Sequence, residues 1–186
     1  MKRLAANEWI AKKYEIDVAK LEDSEYSRLK FGKLFNFRYK TQTSFDWAMG
    51  LLSDGRGIVT PRDLIDLIGS ALLIHARWLQ EHTFESSLCS VKSIQAAHQQ
   101  LSRRRYTVAV TNEFSHLTRS INKLRGRKDK HSGEELRHLF GAESDTILSE
   151  LVGIGILRFD SKKDVYRVAR LYSPGLSVFK TRQRRL

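Results

Sequence analysis

The tetrapeptide Thr60-Pro61-Arg62-Asp63 constrains the fold of this chain more than any other short stretch. It combines three helix-start signals. A threonine hydroxyl can cap, a proline fits the first helical position where its missing N–H costs nothing, and an acid sits three residues after the cap. Asp63 is a shorter analogue of the capping-box glutamate, and its charge also suits the positive end of the helix dipole. Downstream, Leu64, Ile65, Leu67, Ile68, Ala71, Leu72, Ile74, Trp78 and Leu79 are apolar over much of the helix circumference. This helix is therefore expected at the centre of the core.

The flanking patterns are also mostly helical. Residues 1–32 read as a polar helical arm, with Trp9, Ile10, Tyr14, Ile16, Val18 and Leu21 as its apolar positions. Lys33 to Lys40 alternates Phe35, Phe37 and Tyr39 against Leu34, Asn36 and Arg38, which predicts a short strand. After Ser44, Phe45, Ala48, Leu51 and Leu52 have helical spacing, and the turn cluster Ser53-Asp54-Gly55-Arg56-Gly57 ends that helix. A further helix is expected after Ser90, through Val91, Ile94, Ala97 and Leu101. Beyond Arg103-Arg104-Arg105, the spacing of Tyr106, Val110, Phe114, Leu117, Ile121 and Leu124 predicts another, with Arg119, Lys123 and Arg127 on its outer side. Gly126 to His131 reads as a charged loop.

The last third has its own order. Ser132-Gly133-Glu134-Glu135 is a capping box opening a short helix with Leu136, Leu139 and Phe140 inward. Gly141-Ala142-Glu143 is a turn, and Ser144 is expected to cap a second helix with Ile147, Leu148, Leu151 and Val152 inward. Two strands follow, Ile156 to Phe159 and Val165 to Val168, joined by a polar tip from Asp160 to Asp164. Helix, turn, helix and hairpin is the order of a winged helix-turn-helix; any small α+β unit ending in a hairpin also satisfies it. The expected fold is mostly α, α+β: a helical bundle followed by a winged helix. The expected domains are a helical arm (1–32), a helical domain (33–125), a winged helix (132–178) and a basic tail (179–186), with the boundary in the loop at 125–132.

The net charge of +12 is concentrated. Residues 103–130 hold nine basic groups against two acids, Glu113 and Asp129, and the last seven residues add Lys180, Arg182, Arg184 and Arg185. The remaining residues are nearly neutral. A focused positive charge points to an acidic partner, of which nucleic acid is the commonest; a membrane surface or an acidic protein also fits the charge. Within the proposed winged helix, the second helix offers Asp145, Thr146, Ser149 and Glu150 as exposed positions. Two acids and no base-reading cation argue against sequence reading in the major groove. The hairpin instead carries Arg158, Lys162, Lys163, Arg167 and Arg170, offset by Asp160 and Asp164. The candidate nucleic-acid-binding residues are therefore Arg103, Arg104, Arg105, Arg119, Lys123, Arg125, Arg127, Lys128, Lys130, Arg158, Lys162, Lys163 and Arg167, making salt-sensitive backbone contacts of low sequence specificity. Tyr106 follows the arginine triple and Tyr172 follows Arg170; core packing accounts for both, so no stacking on single-stranded bases is expected from them.

Enzymatic chemistry finds little foothold. His75, His82, His98, His116, His131 and His138 form no metal-binding spacing, although His75 and His82 lie seven residues apart on one helix. The single cysteine, Cys89, lacks a patterned histidine partner and excludes an internal disulfide, which favours a reducing, cytoplasmic setting. No apolar run is long enough to span a membrane, and no apolar stretch follows the basic N-terminus as a signal peptide requires. The expectation is no catalytic residue, no metal, no cofactor, no membrane and no small-molecule substrate.

Phe45-Asp46-Trp47, the Ser53 to Gly57 turn and Thr60-Pro61-Arg62-Asp63-Leu64-Ile65 together resemble the start of the helical lid in a group of bacterial AAA+-like P-loop ATPases. Glu150 to Leu157, Val165 to Val168 and Leu171-Tyr172-Ser173-Pro174-Gly175-Leu176 resemble the winged-helix end of the same proteins, an arrangement similar to origin-recognition-type initiators. The resemblance covers residues 40–178. The chain departs from the family in having no G-x-x-x-x-G-K-[ST] loop and no acidic pair after a strand to hold magnesium. The resemblance thus implies a lid and winged helix without the nucleotide-binding core: a fragment, a split gene product or a standalone descendant. It also implies that Arg62 can sense a nucleotide, here only one held by a partner; the plainer alternative is a first-turn residue pairing with Asp66. The expected function is a non-enzymatic nucleic-acid-associated adaptor or regulator. Its rivals are a protein-interaction module docking on an ATPase or larger assembly, and a C-terminal fragment of a P-loop ATPase.

Overall fold

In the computed structural model the described residues are 6–35, 38–39, 41–80 and 88–180. Phe37, His82 and the tail arginines Arg182, Arg184 and Arg185 lie outside them. The fold is mostly helical, with a small three-stranded antiparallel sheet near the C-terminus.

The arm expected over 1–32 is not one helix. It is divided into α1 (Glu8–Lys13), a 3-10 turn (Val18–Lys20) and α2 (Ser24–Leu34). Short polar side chains restart the backbone each time. Asn7 Oδ1 accepts from Ile10 N at 3.1 Å, Asp17 Oδ1 from Ala19 N at 3.0 Å, and Asp23 Oδ1 from Glu25 N at 2.8 Å. Of the strand expected over Lys33 to Lys40, Lys33 and Leu34 belong to α2, Arg38–Tyr39 form β1, paired with β2 (Gln42–Thr43), and Asn36, Phe37 and Lys40 lie outside the described residues.

Helix α3 (Ser44–Leu52) is capped one residue earlier than the sequence suggests, by Thr43. Thr43 Oγ1 accepts from Asp46 N at 3.2 Å and donates to Asp46 Oδ2 at 2.7 Å. The same box recurs at α4 (Pro61–Leu79), where Thr60 Oγ1 accepts from Asp63 N at 3.1 Å and donates to Asp63 Oδ2 at 2.7 Å. The start of α4 is as expected, but its central position is not. It buries Leu67, Ile68, Ala71 and His75 on one side, while Ile65 is 46% and Leu73 65% exposed on the other. Its packing partners are α3 and the following helix, and no described element covers the opposite face.

That following helix, α5 (Val91–Val108), runs unbroken through Arg103-Arg104-Arg105. Arginine is a good helix former, so the basic triple supplies no stop. The break falls instead at Ala109–Glu113, a wide π turn, followed by a 3-10 turn (Ser115–Leu117) and α6 (Thr118–Lys123). The single helix expected from Tyr106 to Leu124 is therefore split.

The loop expected over 126–131 contains a strand, β3 (Lys130–Ser132). Helix α7 (Gly133–Phe140) has the expected capping box: Ser132 Oγ accepts from Glu135 N at 3.2 Å and Glu135 Oε2 accepts from Ser132 N at 3.0 Å. Helix α8 (Ser144–Gly153) has no side-chain cap. A 3-10 turn at Gly141–Glu143 leads straight into it, so Ser144 becomes its first, buried residue. The hairpin of β4 (Leu157–Asp160) and β5 (Val165–Val168) forms as expected, and β3 joins its other side in the order β3-β5-β4.

One hydrophobic cluster joins both halves, from Trp47, Leu67 and Ile94 to Leu136, Leu151 and Leu157. Glycines make the junction close. Gly55 N donates to Gly155 O at 2.6 Å, and Gly175 N donates to Ser102 Oγ at 2.9 Å. Among the described residues no helix is long and apolar enough to cross a membrane.

Candidate nucleic-acid interface

The register of the C-terminal sheet decides where its cations sit. Lys130 on β3 is opposite Arg167 on β5, and Arg167 is opposite Arg158 on β4. Directly opposed residues share a face, with Cβ atoms about 5 Å apart. Lys130, Arg167 and Arg158 thus form one row across all three strands. None of the three makes an ion pair among the described residues, and both arginines are exposed. Like charges directly opposed destabilise a sheet until an anion neutralises them. The pleat puts the next row, His131, Tyr166 and Phe159, on the other face.

Beside β4, one of the sheet's two edge strands, runs a groove of about 720 Å³. Arg158, Lys162, Arg167 and Arg170 line it from the sheet side, and Gly50, Ser53 and Asp54 from the end of α3 and its loop. Gly50 makes room for Arg170, whose Nη1 lies 3.3 Å from where a β-carbon would stand. Of the two carboxylates in the groove, Asp54 is already engaged. Its oxygens accept from Arg56 Nη2 at 2.8 Å, Arg56 N at 2.9 Å and Ile58 N at 2.9 Å, and its side chain is 8% exposed. Asp160 makes no ion pair among the described residues, leaving four cations against one open carboxylate.

The cations of 103–130 meet different fates. Arg105 Nη2 holds the buried Asp63 at 2.8 Å, and this bond raises the guanidinium pKa further. Arg104 reaches Asp66 at 3.8 Å, so the carboxylate that sequence spacing offers to Arg62 meets α5 instead. Lys123 Nζ donates to Leu139 O at 2.9 Å, Arg127 Nε donates to Lys123 O at 2.8 Å, and Lys128 pairs with Glu135. Glu135 is held below its usual carboxylate range by Lys128 first and the Ser132 N–H second. Arg103, Arg119, Arg125 and Lys163 are exposed and form no ion pair among the described residues; the same is true of Arg62 in the first turn of α4.

On α8, Asp145, Thr146 and Ser149 are exposed as expected, whereas Glu150 is half-buried and accepts from His116 Nε2 at 3.2 Å. His75, His98 and His131 are buried, each with Nε2 unpaired, and burial lowers the pKa of His98 and His131. Cys89 is buried. No group of three His, Cys, Asp or Glu side chains among the described residues is arranged to hold a metal ion. Comparison with protein-family models, with curated proteins and with solved structures gives no match.

Sequence reasoning placed Lys130 in one basic cluster and Arg158 and Arg167 in another, and the sheet unites them. The strand Lys130-His131-Ser132 carries no apolar alternation, and three residues are too few to mark a strand alone. The groove wall at Gly50 and Ser53 has no sequence signature.

Proposed function

We propose that this chain is a non-enzymatic nucleic-acid-associated adaptor or regulator that grips a phosphate backbone. On this reading β3, α7, α8, β4 and β5 are a winged helix whose hairpin is the wing. The supporting observation is the row Lys130–Arg167–Arg158, three cations in register with no carboxylate partner among the described residues. Asp145, Thr146 and Ser149 on α8 disfavour base reading by that helix in the major groove, so the binding is sequence-tolerant.

The test is fluorescence anisotropy of labelled duplex DNA across a salt series. Three to five phosphate contacts give a slope of log K against log salt of about −3 to −5. Arg158→Ala and Arg167→Ala should each lower its magnitude by about 1. Binding indifferent to both salt and these substitutions refutes the reading.

One observation favours a second reading, a module docking on an ATPase or larger assembly, as the lid-like resemblance implies. The outer face of α4 presents Ile65 and Leu73 to solvent, with Arg62 at its start. On this reading a stoichiometric protein partner survives nuclease treatment and is lost in Leu73→Lys.

A further inference from the structure

On the other face of the hairpin a cleft of about 230 Å³ separates β4 and β5 from α8. Its aromatic wall is Phe159 and Tyr166, stacked with ring centroids 4.5 Å apart and planes 28° from parallel. Phe159 is 41% exposed, although its neighbour Leu157 on the same strand face is fully buried. Asp145 and Ser149 on α8 supply the polar wall. Asp145 makes no ion pair among the described residues, despite the chain's excess of cations. The helix dipole accounts for an acid in the first turn of α8, but not for an open aromatic pair in the same cleft.

Consecutive residues on a strand point to opposite faces. Arg158 and Phe159 therefore offer a cation on one side of β4 and an aromatic ring on the other, and Arg167 and Tyr166 repeat this on β5. Because β4 is an edge strand and Phe159 borders both the groove and the cleft, one extended ligand can pass its edge and reach both faces.

We propose that this cleft takes a single nucleobase carrying an exocyclic amino group, from a single-stranded segment whose phosphates lie on the Lys130–Arg167–Arg158 face. This rests on the backbone-binding reading above and adds to it a ligand form and a base preference. The cleft is smaller than the pockets that hold drug-sized ligands, so it suits one planar ring. A base in a duplex stays in its stack and does not enter. Stacking on Phe159 is indifferent to base identity, whereas Asp145 is not. Its carboxylate accepts an N–H from the amino group of cytosine or adenine. Thymine and uracil present a carbonyl oxygen at that position, which sets two acceptors against each other.

The test uses the full chain and short labelled oligo-dC, oligo-dA and oligo-dT, with a mixed-sequence duplex alongside. The expected result is binding of oligo-dC and oligo-dA about ten-fold tighter than oligo-dT, a difference that vanishes in Asp145→Ala, which removes the acceptor. Phe159→Leu keeps the side chain apolar and should weaken all single strands about ten-fold, leaving the duplex unchanged. Equal affinity for oligo-dC and oligo-dT, with Phe159→Leu silent, overturns the cleft proposal. If Arg158→Ala and Arg167→Ala still weaken binding in that case, backbone binding stands without it. Absence of binding to any of the four probes at low salt overturns both.

Discussion

Gly55→Ala isolates the contact that holds the helical half against the hairpin. A β-carbon at position 55 would stand 2.1 Å from Leu157 O, 2.5 Å from Leu157 C and 2.9 Å from Gly155 O. These are backbone atoms at the start of β4, so no side chain can turn aside. An unstrained carbon–oxygen contact needs about 3.3 Å, which requires the strand or the loop to retreat by about 1 Å. The Gly55 N to Gly155 O bond, 2.6 Å long, lies in the path of that movement. Forcing extra volume into a packed site costs about 1–3 kcal/mol, and losing the bond adds about 1 kcal/mol. The expected destabilisation is about 2–4 kcal/mol, a fall in Tm of about 5–15 °C for a chain of this size. Thermal unfolding followed by circular dichroism measures it. Gly69→Ala is the matched control, because its added β-carbon meets nothing within 4 Å and the position is an exposed helix interior. That change should stabilise by about 0.5–1 kcal/mol. If Gly55→Ala melts within a degree of the unsubstituted protein, the two halves do not meet as described, and the groove beside β4 loses its far wall.

Two further outcomes test other links. Arg105→Ala leaves Asp63, 3% exposed, with only its Thr60 contacts and should cost about 2 kcal/mol, less than a fully buried pair because Arg105 is 27% exposed; an unchanged urea midpoint would refute that role. His98 and His131 have pKa values lowered by burial, so the folded state binds their protons more weakly than the unfolded chain does. Their stabilisation is complete above the unfolded value of about 6.5 and is lost as pH falls below it toward the lowered folded values. The urea midpoint should therefore drop between pH 7.5 and pH 5, and the drop should shrink in His131→Gln.

Much of the local structure is legible in the sequence. The boxes at Thr60 and Ser132 depend on residues three positions apart and the β4–β5 hairpin on residues five to eleven apart, and short-range patterns report them well. The misread elements depend on distant partners or on competing local signals. β3 exists because Lys130, His131 and Ser132 pair with residues 165–167, and three residues carry too little periodicity to announce a strand. The expected helix from Tyr106 to Leu124 had good spacing, but spacing does not register the π turn at Ala109–Glu113. Helix α4 is apolar around much of its circumference, but which part is covered depends on the elements that pack against it, and no described element covers Ile65 and Leu73.

The candidate site divides along the same line. By itself the sequence determined the number of cations, their concentration in two stretches, and the absence of a base-reading cation on α8, since all of these are properties of composition and order. Only the tertiary structure decided which cations remain unpaired. Arg105 is neutralised by Asp63 from 42 residues away, while Lys130, Arg167 and Arg158 come into one row through strand register. The physical reason is range. A helix cap acts over one turn of backbone, whereas ion pairing and sheet register act through space between segments that folding alone brings together.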